Sequence, residues 1–443
     1  MSDERLPVVV IGAGPVGLAA AAHLISKGET PLILEAGESV GASVRKWGHV
    51  RIFSPWRYNV DTASAALLEA AGWVRPDGAS HPTGRELVEQ YLEPLAALPA
   101  IRPHLRVRTR VVGVSRVGLD RTKTSGRSDV PFLVRVDTDG VPSELKARAV
   151  IDASGTYESP NPLGATGLPA IGEAGLSDRI FYGIPDVLAA HRGRYARRRV
   201  LVVGSGHSAF NVLLDLATLA EAEPATRILW AIRRPTVDGV FGGGTKDQLE
   251  ERGRLGSRVR DLVRRGVLEI VPGFSTSHLE STSEGVVARS DGRALKPVDE
   301  VIATTGFRPD VSMLRELRLA LDPIVESPAI LAPLIDPNVH SCGSVPPHGA
   351  EELRQPEKDF YIVGMKSYGR APTFLMLTGY EQVRSVACAL TGDMEGARDV
   401  RLVLPETGVC SLDAVAAEGA ACCGPTPVTL PVGPGPAQRQ GCC

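Results

Sequence analysis

The stretch VVVIGAGPVGLAAAAHLI (8–25) decides the fold. Its β-branched opening reads as a strand buried on both faces, its three glycines and proline as a tight turn, and its Ala/Leu-rich remainder as a helix. The glycines keep it from being the unbroken run of about eighteen apolar residues that would span a bilayer. With no basic region before it and no small-residue cleavage site after it, it does not read as a secretory signal either.

Gly12, Gly14 and Gly17 form a G-x-G-x-x-G pattern, with Pro15 at the start of the helix. The first glycine permits the turn, the second lets the backbone approach a pyrophosphate, and the third lets helix and strand pack closely. The next strand, PLILEAG (31–37), ends in Glu35, 23 residues after Gly12. A carboxylate there accepts from ribose hydroxyls while the helix N-terminus holds the diphosphate, so a dinucleotide site is expected.

The same sequence of events recurs at RRVLVVGSG (198–206), HSAFNVLLDLATLAE and TRILWAIRR (226–234). Here Gly204, Gly206, Ser208 and Ala209 make the G-x-G-x-x-A variant. Arg233 and Arg234 stand where an acid is expected, and guanidinium there suits a 2′-phosphate, which points to NADPH over NADH. GHSAF lacks the final glycine of a nucleophile elbow, and GGGTK (242–246) does not fit a P-loop.

The 443 residues are too many for one core, and the alternation of short strands with helical segments predicts an α/β protein with parallel sheets. Two Rossmann-like domains are expected, the second inserted into the first. The first takes residues 1–165 and 297–405, the second 166–296, and 406–443 form a flexible Pro/Gly/Cys-rich tail. The patch SRVGLDRTKTSGRSD (115–129) reads as a hairpin loop, and DFYIVGMKSYG (359–369) as a late strand rejoining the first domain. A formal charge of -2 without a basic stripe argues against nucleic-acid binding. No membrane association and a cytoplasmic location are expected, where cysteines stay reduced.

In sum these motifs resemble the two-dinucleotide-binding-domain flavoproteins, which include flavin-containing monooxygenases and the thioredoxin and glutathione reductases. The resemblance covers residues 5–395 and implies FAD at the first site and NADPH at the second. It also implies that IDASG (151–155), with Ser154 and Gly155, passes beside the flavin. By the same resemblance the backbone at Val111 and Val112 is expected against the adenine, Trp47 in SVRKWGHVRIFSPW at the flavin, the alternative being a plain core tryptophan, and Gly364 and Met365 in VGMKSYGRAPT at the cofactor. Asn59, in WRYNVD, reads as a turn asparagine, the alternative being a group that steadies a peroxide.

Disulfide reductases of this group carry a cysteine pair beside the flavin, yet residues 1–341 contain no cysteine. Oxygen therefore becomes the leading electron acceptor. ATTGF (303–307) and VGMKSYGRAPT resemble the monooxygenases, in which reduced flavin traps O2 as a C4a-peroxide inside a dry pocket. One departure matters: IFYGIPDVLAAH keeps Phe181 and Gly183 of the monooxygenase fingerprint but has Val187 where its histidine belongs.

Seven cysteines crowd the last third of the chain, four of them as vicinal pairs. Cys388 lies in a helical segment and reads as core. Cys342, between His340 and His348, is the candidate catalytic thiol. With Cys422 and Cys423 it offers thiolates to a thiophilic centre such as As(III), because a Pro/Gly-rich tail extending about 3 Å per residue can return to Cys342 of its own or a neighbouring subunit. A terminal Cys pair without a CaaX box does not read as a prenylation signal. SCGSVPPHG, VGMKSYGRAPTFLMLTGYEQVRS and the late cysteines resemble flavin monooxygenases found beside bacterial arsenic-resistance genes. The expected partners are a small-molecule or metalloid substrate and, through the tail, a second copy in a homodimer. Two rivals stand beside this reading: a reductase relaying electrons through tail thiols, and a non-enzymatic thiol buffer or redox sensor.

Overall fold

The computed structural model describes residues 6–237, 239–241, 249–339, 345–372 and 374–402. Cys342, Cys422 and Cys423 lie outside them, as do Cys410, Cys442 and Cys443.

The chain begins with strand β1 (Val8–Ile11), helix α1 (Pro15–Ser26), β2 (Pro31–Leu34) and β3 (Leu105–Arg106). An antiparallel meander follows, β4 (Thr109–Arg116), β5 (Phe132–Thr138) and β6 (Val141–Ala147), before β7 (Ala149–Asp152) returns beside β1. The second domain contributes β8 (Ile180–Tyr182), β9 (Arg199–Val203), α2 (His207–Ala222), β10 (Arg227–Ala231), α3 (Glu250–Arg264) and β11 (Glu269–Val271). A ribbon of β12 (His278–Thr282), β13 (Gly285–Ser290) and β14 (Arg293–Ala294) leads to β15 (Glu300–Ala303). Finally β16 (Phe360–Ile362) and α4 (Met376–Leu390) rejoin the first domain.

The two parallel sheets have the orders β16-β7-β1-β2-β3 and β11-β10-β9-β15-β8. Each places its glycine motif after a central strand, β1 or β9. Side chains alternate along those strands, so Val8 and Val10 pack under α1 while Val9 and Ile11 face the meander. Val200 and Val202 likewise pack under α2 and α3, and Leu201 and Val203 face the ribbon. A fully buried central strand needs apolar residues at every position, which is why these runs carry no polar alternation.

Insertion of one domain into the other is as expected, but its boundaries differ. Strand β15, which the boundary at 297 assigns to the first domain, instead pairs with β9 and β8 inside the second sheet, and Leu163 packs in the second core. The second domain therefore runs from about residue 160 to 304. Its two connectors lie side by side: Pro160 bridges Phe307 antiparallel, Asn161 N donates to Gly306 O, and Arg308 N to Ser159 O. An apolar strand such as EVIA cannot be assigned to one sheet or another by periodicity, since both sheets bury it equally.

The 115–129 loop is pinned from below by a buried carboxylate. Glu357 accepts from Arg116 Nε (2.8 Å), Arg127 Nη2 (2.8 Å) and Arg318 N (3.1 Å), and all three side chains of the Arg–Glu–Arg cluster are almost fully enclosed. Burial alone would push the Glu357 carboxyl up, but the bonds from Arg127 and Arg116 outweigh it and hold it below the ordinary value. Its stabilisation is thus complete above the unfolded carboxyl pKa and is lost as pH falls through the folded one. Glu357→Ala, which leaves two buried guanidinium groups uncompensated, should cost about 3–5 kcal/mol in urea unfolding. A loss below 1 kcal/mol would show that the arginines find water instead.

Candidate functional site

At the first glycine motif, Gly12 and Gly17 make the tight turn and the close helix–strand approach expected of them. Gly12 has φ +99°, and a Cβ there would meet Ala153 O at 2.8 Å. A Cβ on Gly17 would meet Gly12 O at 2.0 Å, so helix and turn are in backbone contact. Gly14 differs: a Cβ on it would meet no protein atom within 4 Å, and no side chain caps the helix it starts. That combination, an open glycine at an uncapped helix N-terminus, is the cradle a diphosphate fits. Pro15 starts α1, where a missing N–H costs nothing.

Glu35 reaches back to this turn. Its carboxylate accepts from Ala13 N and Gly37 N, each at 2.7 Å, and keeps lone pairs for ribose hydroxyls. Gly41 N donates to Ala13 O, tying the segment that carries Trp47 to the same turn. The Trp47 ring packs on Gly84, where a Cβ would meet it at 2.8 Å, so its position is set by core packing. Val111 is buried, whereas Val112 is the bulged residue of β4, with register shifting between Val111 and Gly113, and it is 46% exposed. The bulge frees its backbone from the ladder.

The structure brings two more expected residues to the N-terminus of α1, Ser154 and Gly364, with Gly155 and Met365 next to them in the chain. Ser154 and Gly155 follow β7, and Gly155, at φ +70°, again faces open space. Gly364 and Met365 follow β16, and Gly364 sits against the Val16 side chain in the first turn of α1. Sequence reading missed what lies beneath them. Lys366 Nζ donates to Asp152 Oδ2 (2.6 Å) and Ser154 Oγ (3.0 Å), while Ser154 Oγ donates to Asp152 Oδ1 (2.6 Å). The Lys366 and Asp152 side chains are 1% and 0% exposed. Ser154 thus offers a cofactor its backbone, its hydroxyl proton being committed. The available signal was a charge closing each of two apolar runs, AVID and FYIVGMK.

A second network holds the same turn. Gln382 Oε1 accepts from Gly364 N (2.8 Å), and Gln382 Nε2 donates to Ser367 Oγ (2.9 Å) and toward His348 Nε2 (3.1 Å). Ser367 Oγ donates to Gly364 O and His348 Nδ1 to Pro346 O. These directions close only if His348 is neutral with its proton on Nδ1.

The second cradle repeats the first. Gly204 has φ +128°, a Cβ there would meet Thr304 O at 2.4 Å, and Gly206 faces open space at the uncapped start of α2. Trp230 Nε1 donates to Gly204 O at 2.7 Å, and Ser208 lies in the first turn of the helix. Thr304-Thr305-Gly306 here takes the place of Ala153-Ser154-Gly155. Arg233 is exposed just beyond β10, donating to Ala165 O at 3.2 Å, and Arg234 follows it with its backbone oxygen bound by Gly273 N. Both stand at the strand end expected for 2′-phosphate contact.

The altered fingerprint also has a structural reading. Val187 is fully buried in the second core, and His191 stands edge-to-face with Phe181 at 5.1 Å. His191, four residues after Val187, thus packs an imidazole on the Phe181 that the fingerprint keeps. Asn59 is buried with both amide groups bonded to Ser54 and Pro55, which agrees with a turn role. Cys388 is buried in α4, and among the described residues no cluster of His, Cys, Asp or Glu could hold a metal. Nor is any helix among them long and apolar enough to cross a membrane.

Two sheets of one design, each with an open glycine cradle at a helix N-terminus, define a two-dinucleotide-binding-domain oxidoreductase. The chain belongs to the pyridine nucleotide-disulphide oxidoreductase family, whose model matches residues 9–328. It is 24% identical over 220 residues to an indole-3-pyruvate monooxygenase of Arabidopsis thaliana, covering 49% of this chain and 46% of that protein. The chain spans about half the length of the curated relatives it matches. Among solved structures it resembles the bacillithiol disulfide reductase of Bacillus cereus (TM-score 0.64, 20% identity, 88% of this chain and 100% of that one). It also resembles the FAD-bound cadaverine monooxygenase DfoA of Erwinia amylovora (TM-score 0.59, 14% identity, 91% and 100%).

Three outcomes follow from the site. Gly14→Ala adds a methyl group where no protein atom stands, so it should leave the apoprotein within about 0.5 kcal/mol of the parent while raising the FAD dissociation constant about tenfold or more. Gly17→Ala should lower apoprotein stability by about 1–3 kcal/mol, and parallel thermal melts and FAD titrations separate the two. Burial holds His348 below its ordinary value of 6.5 against the raising effects of Pro346 O and Glu352. Its contribution to stability is then complete above about pH 6.5 and declines as pH falls from there toward the folded value. Melting curves from pH 7.5 to 5 should show this decline, and His348→Asn should flatten it.

Proposed function

We propose that this chain is an FAD- and NADPH-dependent oxygenase acting on a soft, lone-pair substrate, with trivalent arsenic, as arsenite or methylarsenite, the preferred candidate. The observation that carries the reading is a pair of open dinucleotide cradles in a chain whose first 341 residues hold no cysteine. A disulfide reductase needs a thiol pair beside its flavin, and the sequence supplies none there. When bound, FAD would take hydride from NADPH and pass electrons to O2.

The chain's own residues then have simple tasks. The Gly14 cradle and Glu35 bind the diphosphate and ribose of FAD; the Gly206 cradle, Arg233 and Arg234 bind NADPH and select its 2′-phosphate. Cys342, Cys422 and Cys423 hold the thiophilic arsenic before it is oxidised. The balance is one NADPH, one proton, one O2 and one As(III) giving NADP+, water and As(V), with one oxygen atom on arsenic and the other in water. Oxidation removes the lone pair and with it the affinity for thiols, so the product leaves the cysteines.

The vicinal cysteines of the tail favour one rival, a reductase that relays electrons to a disulfide or metal ion. Stoichiometry of NADPH, O2 and arsenite in a single assay separates them: the oxygenase consumes them 1:1:1, and turnover that persists without O2 sinks this reading. Replacing Cys342, Cys422 and Cys423 by serine should raise the KM for arsenite by about tenfold or more with NADPH oxidation little changed. An unaltered KM would remove the capture role.

A further inference from the structure

We infer that Lys366 and Asp152 are a positioning pair for the flavin cradle, fixing the 364–368 turn and Ser154 in the arrangement that receives FAD. The inference rests on the assignment of FAD to the first cradle.

The pair is unusual first in its burial. An ammonium and a carboxylate that are both withdrawn from water lose several kcal/mol of hydration each, and apolar residues of similar volume are often as stable in such a place. Stability alone therefore gives the chain little reason to keep them. Nor is the lysine fully satisfied: two of its three ammonium hydrogens go to Asp152 Oδ2 and Ser154 Oγ, leaving the third without a protein acceptor among the described residues.

Its location supplies the second argument. Asp152 ends β7 and Lys366 follows β16, the neighbouring strand, so the pair joins the C-terminal ends of two parallel strands at the edge where ligands of such sheets bind. Immediately above lies exposed Ser154, whose Cα is 3.1 Å from where a Cβ on Gly12 would stand, and then Gly155 and Gly14, both facing open space. Gly364, two residues before the lysine, packs on Val16 of the same helix N-terminus.

The third argument is that the turn is over-determined. Gly364 N and O are already held by Gln382 and Ser367, and Gly369, at φ +58°, closes the turn against the Val325 carbonyl. The Lys366–Asp152 pair adds a tie from the turn to β7 that neither of those contacts provides. Two separately anchored segments, 153–155 and 364–365, are thereby held at one spacing across the cradle.

The test uses the full chain stripped of FAD, with Lys366→Met, Asp152→Asn, the double variant and Ser154→Ala. Readouts are the apoprotein melting temperature, hydrogen exchange of residues 364–368, and the dissociation constant for added FAD. Each single change at the pair should destabilise the apoprotein by leaving a buried charge, and the double variant should recover much of that loss. The double variant should nevertheless exchange faster at 364–368 and bind FAD about tenfold more weakly. Ser154→Ala, an exposed change that keeps the ion pair but removes the bonds tying the Ser154 hydroxyl to Asp152 and Lys366, should fold normally and, by loosening the 153–155 backbone, weaken FAD binding about threefold. A double variant with parental exchange and FAD affinity reduces the pair to a structural bridge and overturns the inference, as does unaltered affinity in Ser154→Ala. A parent chain that takes up no FAD overturns the cofactor assignment itself, an outcome read before any variant is compared.

Discussion

The structure depends on a backbone touching a backbone. In each domain the first glycine of the motif, Gly12 or Gly204, lies so close to the end of the neighbouring strand that a single methyl group would strike a carbonyl oxygen, of Ala153 or of Thr304. Only glycine accepts both the positive φ and that approach. The contact sets where the helix begins, and the helix sets where the next glycine opens outward. Sheet order, cradle and the placing of Ser154 and Thr304 all follow from it.

Because this constraint is local, the sequence displays it well. Strand, glycines, helix and the acid or arginines after the next strand sit within some thirty-five residues, and their spacing alone singles out Gly14, Glu35, Gly206, Arg233 and Arg234 as candidates. What lies between distant segments was hidden. Asp152 and Lys366 are 214 residues apart, and nothing in either neighbourhood says that they meet. Val187 in place of a histidine looked like a loss, yet the fold brings His191 onto Phe181. The boundary at 297 fell short for a related reason: β15 is apolar on both faces, and an all-apolar strand does not reveal its partner.

The two domains use one plan with different fastenings. At the first cradle a buried ion pair and the Gln382 network anchor the turn after β16; at the second the Trp230 indole binds the Gly204 carbonyl directly. The turn of the first cradle is thus fastened by charged and titratable groups, and that of the second by aromatic packing around Trp230, Phe210 and Phe241.

The paired connectors at Pro160 and Phe307 carry a consequence of another kind. Neighbouring antiparallel strands lie about 5 Å apart, so the inserted domain begins and ends at nearly one point. To the first domain the whole insertion is topologically equivalent to an enlarged loop. An ancestral sheet could have acquired it, or could exchange it for another nucleotide-binding module, without moving a single strand of its own. The portability of the second domain is thus written into the geometry of its two seams.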